Sequence, residues 1–365
     1  MKKILLISSE FPPLPGGIGT HALQLAKGLT KSGYTVTVIT DRRSDNWEKE
    51  AVFDSNLHFK VIRIARKSWG RTYGNRILQT ISHVVKEKKL TIIGSGKFSL
   101  WIIGFISLFF RNNKYLAVIH GTELKAGGSI SKLITKWSLK KCSQLIAVSN
   151  FTKNKTLEIV PLAKVVVINN GVVLPTITED VVEKELGISL VTVGNLTRRK
   201  GQHNVINALP EILKSNNTVH YHCIGILSEI DKNKALALKM NVIEDVTFHG
   251  VLSDHEMYNQ LQRSHIFMML SENMSNGDFE GFGIAVLEAN ALGLPAIGSK
   301  NSGIADAIKD GLNGKLVSPH NPIEIKEAIL EILNNYNNYS NQAKQWALQC
   351  QWEYIIPKYI NVIEE

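Results

Sequence analysis

Two carboxylates stand eight positions apart, Glu280 and Glu288, and the segment between them is typical of a helix start. Gly281 and Gly283 leave the backbone amides uncovered there, and the first amides of a helix have no partner inside the helix. The positive end of the helix dipole adds to their attraction for phosphate. Carboxylates on either side could accept hydrogen bonds from sugar hydroxyls. The segment predicts a phosphorylated-sugar site, although a capped helix with two solvated acids would show the same pattern.

A second candidate segment, residues 194–201, follows a predicted strand rich in β-branched residues and carries three cations, Arg198, Arg199 and Lys200. Ligands of parallel α/β sheets bind at the carboxyl ends of the strands, which is where these cations fall. They could neutralise a diphosphate and the negative charge that grows on a leaving group. Solvated charges in a turn are the alternative, more so for Arg198 than for Lys200.

In the first half of the chain, Gly17, Gly19 and Ala22 match the spacing of the dinucleotide fingerprint, and Asp41 ends the next predicted strand. This keeps a nicotinamide or flavin enzyme open. Against it, eight residues, 9–16, separate the first strand from the glycines, where the fingerprint needs a tight turn. The alternative is a proline-stiffened loop that brings the bare backbone at Gly17 to a different ligand.

His120 ends another predicted strand and is followed by Gly121, Thr122 and Glu123. Its position at the carboxyl end of a strand makes it a candidate substrate contact. A lone histidine has a structural role at least as often as a functional one, so only its position makes His120 a candidate.

Composition limits the possible classes of protein. The chain has 365 residues, of which 44% are hydrophobic and 20% charged, which predicts two folded domains rather than disorder. Three cysteines without metal-ligand spacing favour a reducing compartment over a disulfide or zinc framework. The chain has no Asp-x-Asp pair, Gly-x-Ser-x-Gly or Walker A sequence. We therefore expect no metal cofactor, and neither an α/β-hydrolase nor a P-loop NTPase.

Hydrophobic periodicity predicts an α/β protein with two Rossmann-like, doubly wound parallel-sheet domains facing across a cleft. The first strand is expected at residues 3–8, and a new series of strands begins at residue 190. The boundary is placed in residues 171–183, and the predicted domains are residues 1–173 and 174–345. Residues after Asn334 are expected to form a surface loop. A terminal helix is expected from Trp346 to Ile363, with a break or bend at Pro357.

The net charge of +10 is concentrated in one stretch that carries a single acid, Glu87. Apolar residues such as Tyr73 and Ile77 interleave with the charges, as in a surface helix on anionic lipid. A solvated basic face on an ordinary amphipathic helix would look the same. No nucleic-acid motif accompanies the charge, so nucleic acid is not expected. The basic residues of the stretch are Arg63, Arg66, Lys67, Arg71, Arg76, Lys86, Lys88 and Lys89.

No apolar run has the length of a signal peptide or of a membrane span. The apolar residues near the amino terminus are only residues 4–7, and the longest apolar stretch, residues 99–110, falls short of a span. The expected location is the cytoplasm, with contact at the inner face of the cytoplasmic membrane through the basic stretch.

Several short segments occur in a fixed order along nearly the whole chain. They are Pro15-Gly16-Gly17, His120-Gly121-Thr122-Glu123, Ala147-Val148-Ser149, Asn170-Gly171-Val172, residues 194–201, residues 280–289, Gly293-Leu294-Pro295 and Asn313-Gly314. In this order and spacing they resemble the retaining glycosyltransferases of family 4 (group 1), which have GT-B architecture. The resemblance implies that residues 346–365 form a helix that crosses back to the first domain, and that the first domain binds the acceptor.

The same resemblance implies roles for the residues of the second domain, which would bind the donor, a nucleotide diphosphate sugar. Glu288 would hold the ribose hydroxyls, and Glu280 would hold a hydroxyl of the donor sugar. Arg199 and Lys200 would hold the diphosphate. The backbone amides of three consecutive residues would bind the phosphate and the sugar, namely Phe282, Gly283 and Ile284.

In the first domain, Gly17 would approach the diphosphate and His120 would lie near the transferred sugar. The residues expected to act in catalysis are therefore His120, Lys200 and Glu280. Some positions depart from the family pattern, and the most important is Asn195, where the family commonly has an arginine. Loss of a cation there would weaken leaving-group stabilisation unless Arg198 or Arg199 reaches the same oxygens.

The resemblance implies transfer of a mannosyl, glucosyl or N-acetylhexosaminyl unit to a hydroxyl of a surface-glycan or lipid-linked acceptor. The anomeric configuration would be retained, and no metal would take part. Asn195 leaves open a non-catalytic protein that binds sugar nucleotides or glycans. The glycine spacing at Gly17 leaves open an NAD-dependent oxidoreductase.

Overall fold

The computed structural model describes residues 2–44, 47–87, 89–125, 127–175, 183–215 and 218–365. The chain divides into two compact units. Unit 1 comprises Met1–Gly171 together with Trp352–Glu365, and unit 2 comprises Val172–Gln351. The predicted limits after residues 173 and 345 lie close to these divisions. Within the predicted boundary stretch, residues 176–182 lie outside the described residues.

Unit 1 alternates strands and helices around one parallel sheet. The elements are β1 (Lys3–Ser8), α1 (Gly17–Lys31), β2 (Thr35–Asp41), α2 (Trp47–Ser55), β3 (Lys60–Ile64), α3 (Trp69–Lys86), β4 (Thr91–Ser95), α4 (Lys97–Ile106), β5 (Lys114–Ile119), α5 (Ser129–Leu139), β6 (Gln144–Ala147), α6 (Asn150–Ile159) and β7 (Val165–Val167). In the described residues the strand order is β3-β2-β1-β4-β5-β6-β7. The winding reverses between β1 and β4, so the loops after these two strands open a crevice at the same edge.

Unit 2 repeats this plan. Its elements are β8 (Ile188–Val193), α7 (Gln202–Leu213), β9 (Val219–Ile224), α8 (Ile230–Lys239), β10 (Val246–Gly250), α9 (Asp254–Arg263), β11 (Ile266–Met269), α10 (Ile284–Ala291), β12 (Ala296–Ser299), β13 (Gly314–Val317), α11 (Pro322–Asn334) and α12 (Tyr336–Gln349). The described strands run in the order β10-β9-β8-β11-β12-β13, all parallel. The switch point lies between β8 and β11. The two parallel sheets confirm the predicted Rossmann-like pair.

The central strands are buried along almost their whole length because both faces of each sheet are covered. In β1 every residue from Ile4 to Ser8 is buried, and in β8 every residue from Ile188 to Thr192 is buried. Register is fixed by the neighbouring strands, since Leu5 lies opposite Thr37 on one side and Ile92 on the other. This packing holds the carboxyl ends of adjacent strands level with one another.

The carboxyl-terminal region differs from the prediction in two ways. The run of Asn, Tyr and Ser after Asn334 is a helix, α12, because Tyr339, Ala343 and Ala347 recur every four residues and are buried. The last helix, α13 (Trp352–Glu364), begins after a break at residues 350–351 and continues through Pro357. The expected loop and the expected start of the terminal helix at Trp346 were therefore wrong, and the helix is not broken at Pro357. Packing of the buried face of α13 outweighs the ~3 kcal/mol cost of an internal proline.

Helix α13 packs against α1 within unit 1, which confirms the predicted return of the chain to the first domain. The two helices approach closely at Gly28, where a Cβ atom would lie 2.2 Å from Cδ1 of Ile356. Nearer the start of α1, the Nε2 atom of His21 lies 2.9 Å from the hydroxyl of Tyr359. The terminal helix is thus part of the core beside the first βα loop.

The basic stretch that includes α3 turns its apolar residues inward. Tyr73 and Ile77 pack against the core of unit 1, and Val84 belongs to that core. Leu78 and Val85 stay exposed. Three of the apolar residues expected to touch lipid therefore pack inside the unit, and membrane contact by this stretch stays a prediction.

Part of the charge in this stretch is also neutralised internally. The Nε atom of Arg76 donates to Asp41 at 2.6 Å, and the Nε atom of Arg63 donates to Asp54 at 2.7 Å. Lys88 lies outside the described residues. No helix in the described parts of the chain has the length and hydrophobicity needed to cross a bilayer.

A buried acid closes the loop after β5. The Oε2 atom of Glu123 accepts hydrogen bonds from the backbone amides of His120 and Gly121, each at 2.9 Å. Burial raises the pKa of this carboxyl to about 7, and the backbone hydrogen bonds offset only part of that effect. The ionised form of Glu123 is therefore less favourable in the folded chain than in the unfolded chain.

We expect the Glu123→Gln variant to gain stability relative to wild type as the pH rises. Because the folded pKa is raised, the unfolded chain loses its proton first, and the wild type bears a penalty that grows between about pH 4.5 and pH 7. The penalty amounts to at most ~3 kcal/mol. Melting temperatures of both proteins at pH 5, 6, 7 and 8 test this. A difference between the two melting temperatures that does not change with pH would contradict it.

Candidate functional site

The predicted helix start lies where the sequence placed it. Helix α10 begins at Ile284, directly after Gly283, whose φ of 84° is in the left-handed region. A Cβ atom on Gly303 would lie 2.1 Å from the carbonyl oxygen of Gly281, so two loops meet here backbone to backbone. Phe282 is buried and anchors the loop. The first amides of α10 are therefore presented by a rigid, glycine-built turn.

Two cations converge on Glu280 just before this helix. The Nζ atom of Lys200 lies 3.0 Å from Oε2 of Glu280, and the guanidinium of Arg199 forms an ion pair with the same oxygen. Arg199 also lies 3.7 Å from Asp278. Burial alone would raise the pKa of Glu280, but the charges of Lys200 and Arg199 outweigh it and lower that pKa to about 2. Glu280 is ionised at any pH near neutrality.

Local backbone geometry explains how Lys200 reaches this position. Residues Arg198–Lys200 form a single 3-10 turn after β8, and it ends at Gly201 with a φ of 79°. A Cβ atom on Gly201 would lie 1.8 Å from the carbonyl oxygen of Leu270, so only glycine fits. The side chain of Lys200 then crosses the bare backbone of Gly194. Because β8 and β11 are neighbours at the switch point, the turn after one strand meets the loop after the other.

Glu288 is the second predicted carboxylate of α10, and in the described part of the chain its side chain has no hydrogen bond or ion pair. Burial raises its pKa, Lys200 lowers it, and Asp254 adds to the rise. A half-buried carboxylate without a partner can accept hydrogen bonds from a ligand hydroxyl. The structure thus places Lys200 in the electrostatic field of both predicted carboxylates.

The nearby Arg198 belongs to a different cluster. It is largely exposed, and its Nε atom donates to Oε2 of Glu272 at 3.1 Å. The other oxygen of Glu272 lies 2.9 Å from Nε2 of His203. Arg199, not Arg198, stands beside Glu280. Asn195 is exposed and contributes its backbone carbonyl to a hydrogen bond from Gln202 at 3.2 Å.

In unit 1, the two predicted residues lie near the switch point of the first sheet. Gly17 is the first residue of α1 and His120 follows β5. The Nε2 atom of His120 lies 2.9 Å from Oγ of Ser95, at the end of β4. Burial lowers the pKa of His120 to about 3, so its imidazole is neutral. It can donate or accept one hydrogen bond but does not supply a positive charge at neutral pH.

His21 is a polar residue of this region that sequence reasoning missed. It is completely buried, and its ring centre lies 4.8 Å from that of His120. Burial lowers its pKa well below the usual value. Its Nδ1 atom has no hydrogen-bond partner in the described residues. The sequence did contain a signal for it, because His21 falls among the apolar residues on the buried face of α1.

Asp41, the acidic residue of the formal dinucleotide fingerprint, is already paired with arginine side chains. Besides Arg76, the Nε atom of Arg66 lies 3.4 Å from its carboxylate, and Asp41 is buried. A dinucleotide site needs this carboxylate open to ribose hydroxyls. In this chain it joins β2 to the basic stretch instead.

Among the described residues, no group of three or more histidine, cysteine, aspartate or glutamate side chains is placed to hold a metal ion. The charges at the start of α10 are those of Lys200, Arg199 and the acids that they contact. The site is therefore suited to bind an anion through fixed side-chain cations and backbone amides.

Two family models match the chain, one in each half. Residues 15–174 match Glycosyltransferase Family 4, and residues 176–347 match Glycosyl transferases group 1. An uncharacterized glycosyltransferase of Methanocaldococcus jannaschii is 27% identical, with 99% of this chain and 97% of that protein covered. A GDP-mannose-dependent monoacylated α-(1-6)-phosphatidylinositol monomannoside mannosyltransferase of Corynebacterium glutamicum is 24% identical, with 92% and 89% covered.

Solved structures give the same fold. The sucrose-phosphate synthase of Thermosynechococcus elongatus has a TM-score of 0.78 at 18% identity, with 100% of this chain and 98% of that chain covered. The HepE protein of Anabaena, solved with UDP and glucose, has a TM-score of 0.77 at 16% identity, with both chains fully covered. With two Rossmann-like units, matches to both halves and these relatives, the chain belongs to the group 1 glycosyltransferases and has the GT-B fold.

Proposed function

We propose that this protein transfers a hexosyl unit from a nucleotide diphosphate sugar to an acceptor hydroxyl, with retention of the anomeric configuration. The observation that carries the proposal is the placement of Lys200 and Arg199 at Glu280, beside the glycine-built start of α10. That arrangement provides cations and bare amides for a diphosphate, and carboxylates for hydroxyls on either side of it.

Donor binding would exchange one set of partners for another. The diphosphate would take up the charges of Lys200 and Arg199, and the amides of Phe282, Gly283 and Ile284 would bind the phosphate and sugar. Glu280, released from its ion pairs, would accept a hydrogen bond from the sugar. Glu288, which already lacks a hydrogen bond in the described residues, would accept hydrogen bonds from the ribose.

The chemical step would place growing negative charge on the departing diphosphate. Fixed cations stabilise that charge more in the transition state than in the ground state, which accelerates the reaction. In this scheme the leaving phosphate takes the proton of the acceptor hydroxyl. Gly17 would approach the diphosphate from unit 1, and His120 would act as a neutral hydrogen-bond partner of the transferred sugar. No metal ion is required.

The sugar and the acceptor are the least specified parts of the proposal. Relatives include proteins named as GDP-mannose-dependent mannosyltransferases, while HepE was solved with UDP. Mannosyl, glucosyl and N-acetylhexosaminyl donors are therefore the set to examine. The proposed acceptor is a surface glycan or a lipid-linked sugar, and the proposed location is the cytoplasm.

The Lys200→Ala variant should lose about 100-fold or more in turnover, because a charge-stabilising contact to the leaving group is removed. Release of nucleoside diphosphate from the preferred donor measures this. Lys234→Ala, on the exposed side of α8, is the matched control and should keep wild-type turnover. Wild-type activity in Lys200→Ala, or neither transfer nor donor hydrolysis by the wild type, would refute the proposal.

A thermal-shift series with UDP, GDP, ADP and their sugars should identify the donor. At about 100 times its dissociation constant, a ligand adds ~2.7 kcal/mol of stability. The Glu288→Gln variant should lose most of this shift, since a carboxyl group with two acceptor oxygens for the ribose hydroxyls becomes an amide with one. Glu327→Gln, an exposed substitution on α11, should retain it. The same shift in Glu288→Gln and wild type would refute the role of Glu288.

Turnover should be the same with EDTA as without it, because Lys200, Arg199 and the α10 amides supply the positive charge that a divalent ion would otherwise provide. Initial rates in buffer with EDTA, and after adding back magnesium or manganese, test this. A strict requirement for either ion would contradict the metal-free scheme while leaving the donor assignment intact.

A further inference from the structure

Helix α5 exposes the apolar stripe that an ordinary surface helix buries. Ile130, Leu133 and Trp137 follow one another at intervals of three and four residues, so they share one face. Their exposed fractions are 75%, 67% and 37%. The buried face of the same helix contains Thr135, Ser138 and Leu139, of which only Leu139 is apolar. Folding of unit 1 therefore leaves Ile130 and Leu133 largely exposed, while Trp137 is partly covered by its neighbours.

The neighbouring helix α4 extends the apolar surface. Helix α4 packs beside α5, because Nε1 of Trp101 donates to the hydroxyl of Thr135 at 2.9 Å and Gly104 adjoins the ring of Trp137. Past the end of α4, Leu108 and Phe109 are exposed, as is a residue of its last turn. Together these residues form what we call the α4–α5 face: Phe105, Leu108, Phe109, Ile130, Leu133 and Trp137.

This face is surrounded by positive charge. Residues 97–141 contain eight lysines and arginines and one acid, Glu123, which is buried. Lys132, Lys136 and Lys140 are exposed at intervals of four residues beside the apolar stripe. A stripe of apolar residues flanked by cations fits a surface that is apolar below and negatively charged above, which is the boundary of an anionic bilayer. A second copy of the chain would bring like charges together.

A cavity beside the face offers a place for an anionic head group. It has a volume of about 360 Å³ and lies at the amino ends of β5 and β6. Arg111 and Lys141 line it, together with Ser107 and Leu108. Lys141 also lies over the ring of Trp137, 5.8 Å from its centre, which joins the cavity to the α4–α5 face. Two cations and a hydroxyl are suitable partners for a phosphate.

We propose that the α4–α5 face docks unit 1 on an anionic lipid bilayer. The apolar side chains enter the boundary between head groups and acyl chains, the lysines contact the head groups, and the cavity receives one head-group phosphate. This surface differs from the basic stretch at residues 63–89, where Tyr73, Ile77 and Val84 pack in the core of unit 1. The inference stands apart from the proposed function, because membrane binding is measured without donor or turnover.

Co-sedimentation with vesicles tests the proposal. The full chain should bind vesicles of mixed phosphatidylglycerol and phosphatidylcholine, bind less at high salt, and bind poorly to phosphatidylcholine alone. Leu133→Ser combined with Lys136→Glu should weaken binding by about tenfold or more. The matched control makes the same types of change in α3, Leu78→Ser with Lys86→Glu, and should bind like wild type. All four positions are exposed, and equal melting temperatures would show that each variant is folded.

Three outcomes would overturn the proposal. The first is an absence of binding to anionic vesicles at low salt. The second is an equal loss of vesicle binding in the α3 variant, which would show that the basic stretch contacts the bilayer. The third is a dimer in sedimentation that Leu133→Ser abolishes while vesicle binding is unaffected, since a second copy would then cover the face. A single Lys132→Glu variant provides an independent check and should lower binding to anionic vesicles only.

Discussion

The ion pairs between Glu280 and the cations Lys200 and Arg199 are the constraint on which the site depends. Moving charged groups out of water is costly, so cations in this partly buried position need a partner. Glu280 is that partner, and its lowered pKa shows that the attraction outweighs the cost of burying the carboxylate. Replacing one side alone would leave the other charge buried without compensation.

This arrangement also holds the cations in position before a ligand arrives. Lys200 has a long, flexible side chain, and an unrestrained ammonium would lose rotamer entropy on binding a phosphate. The ion pair with Glu280 and the crossing over Gly194 fix it beforehand. Preorganised charge of this kind is the largest single contribution to many group-transfer reactions. Under the proposed function, Glu288 is complementary, because its carboxylate has no hydrogen bond in the described residues and could accept one from a ligand hydroxyl.

Two glycines make the arrangement possible. Gly201 lets the turn after β8 touch the loop after β11, and Gly283 lets α10 begin in a left-handed turn beside the same loop. Their identity was visible in the sequence, where Gly201 follows Lys200 and Gly283 lies three residues after Glu280. Where they meet was not visible, because Lys200 and Glu280 are far apart in the chain and join only through the strand order β8-β11.

Misassigned elements show where local signals fail. The asparagine-rich run after Asn334 suggested a loop by composition, yet a four-residue spacing of buried Tyr339, Ala343 and Ala347 makes it a helix. Pro357 suggested a break or bend, yet α13 continues through it and packs against α1. In the basic stretch, charge and hydrophobicity suggested a lipid surface, but Asp41 and the core of unit 1 take up many of those side chains. In each case a distant partner outweighed a local preference.

The sequence by itself determined the two-unit α/β plan, the helix start at Gly283 and the family, because periodicity and motif order are local properties that survive without coordinates. Tertiary structure alone decided which cations pair with Glu280, that Glu288 lacks a hydrogen bond in the described residues, that burial lowers the pKa of His120, and which apolar face of unit 1 stays exposed. Those properties depend on burial and on contacts between residues distant in the chain, and local patterns do not encode either.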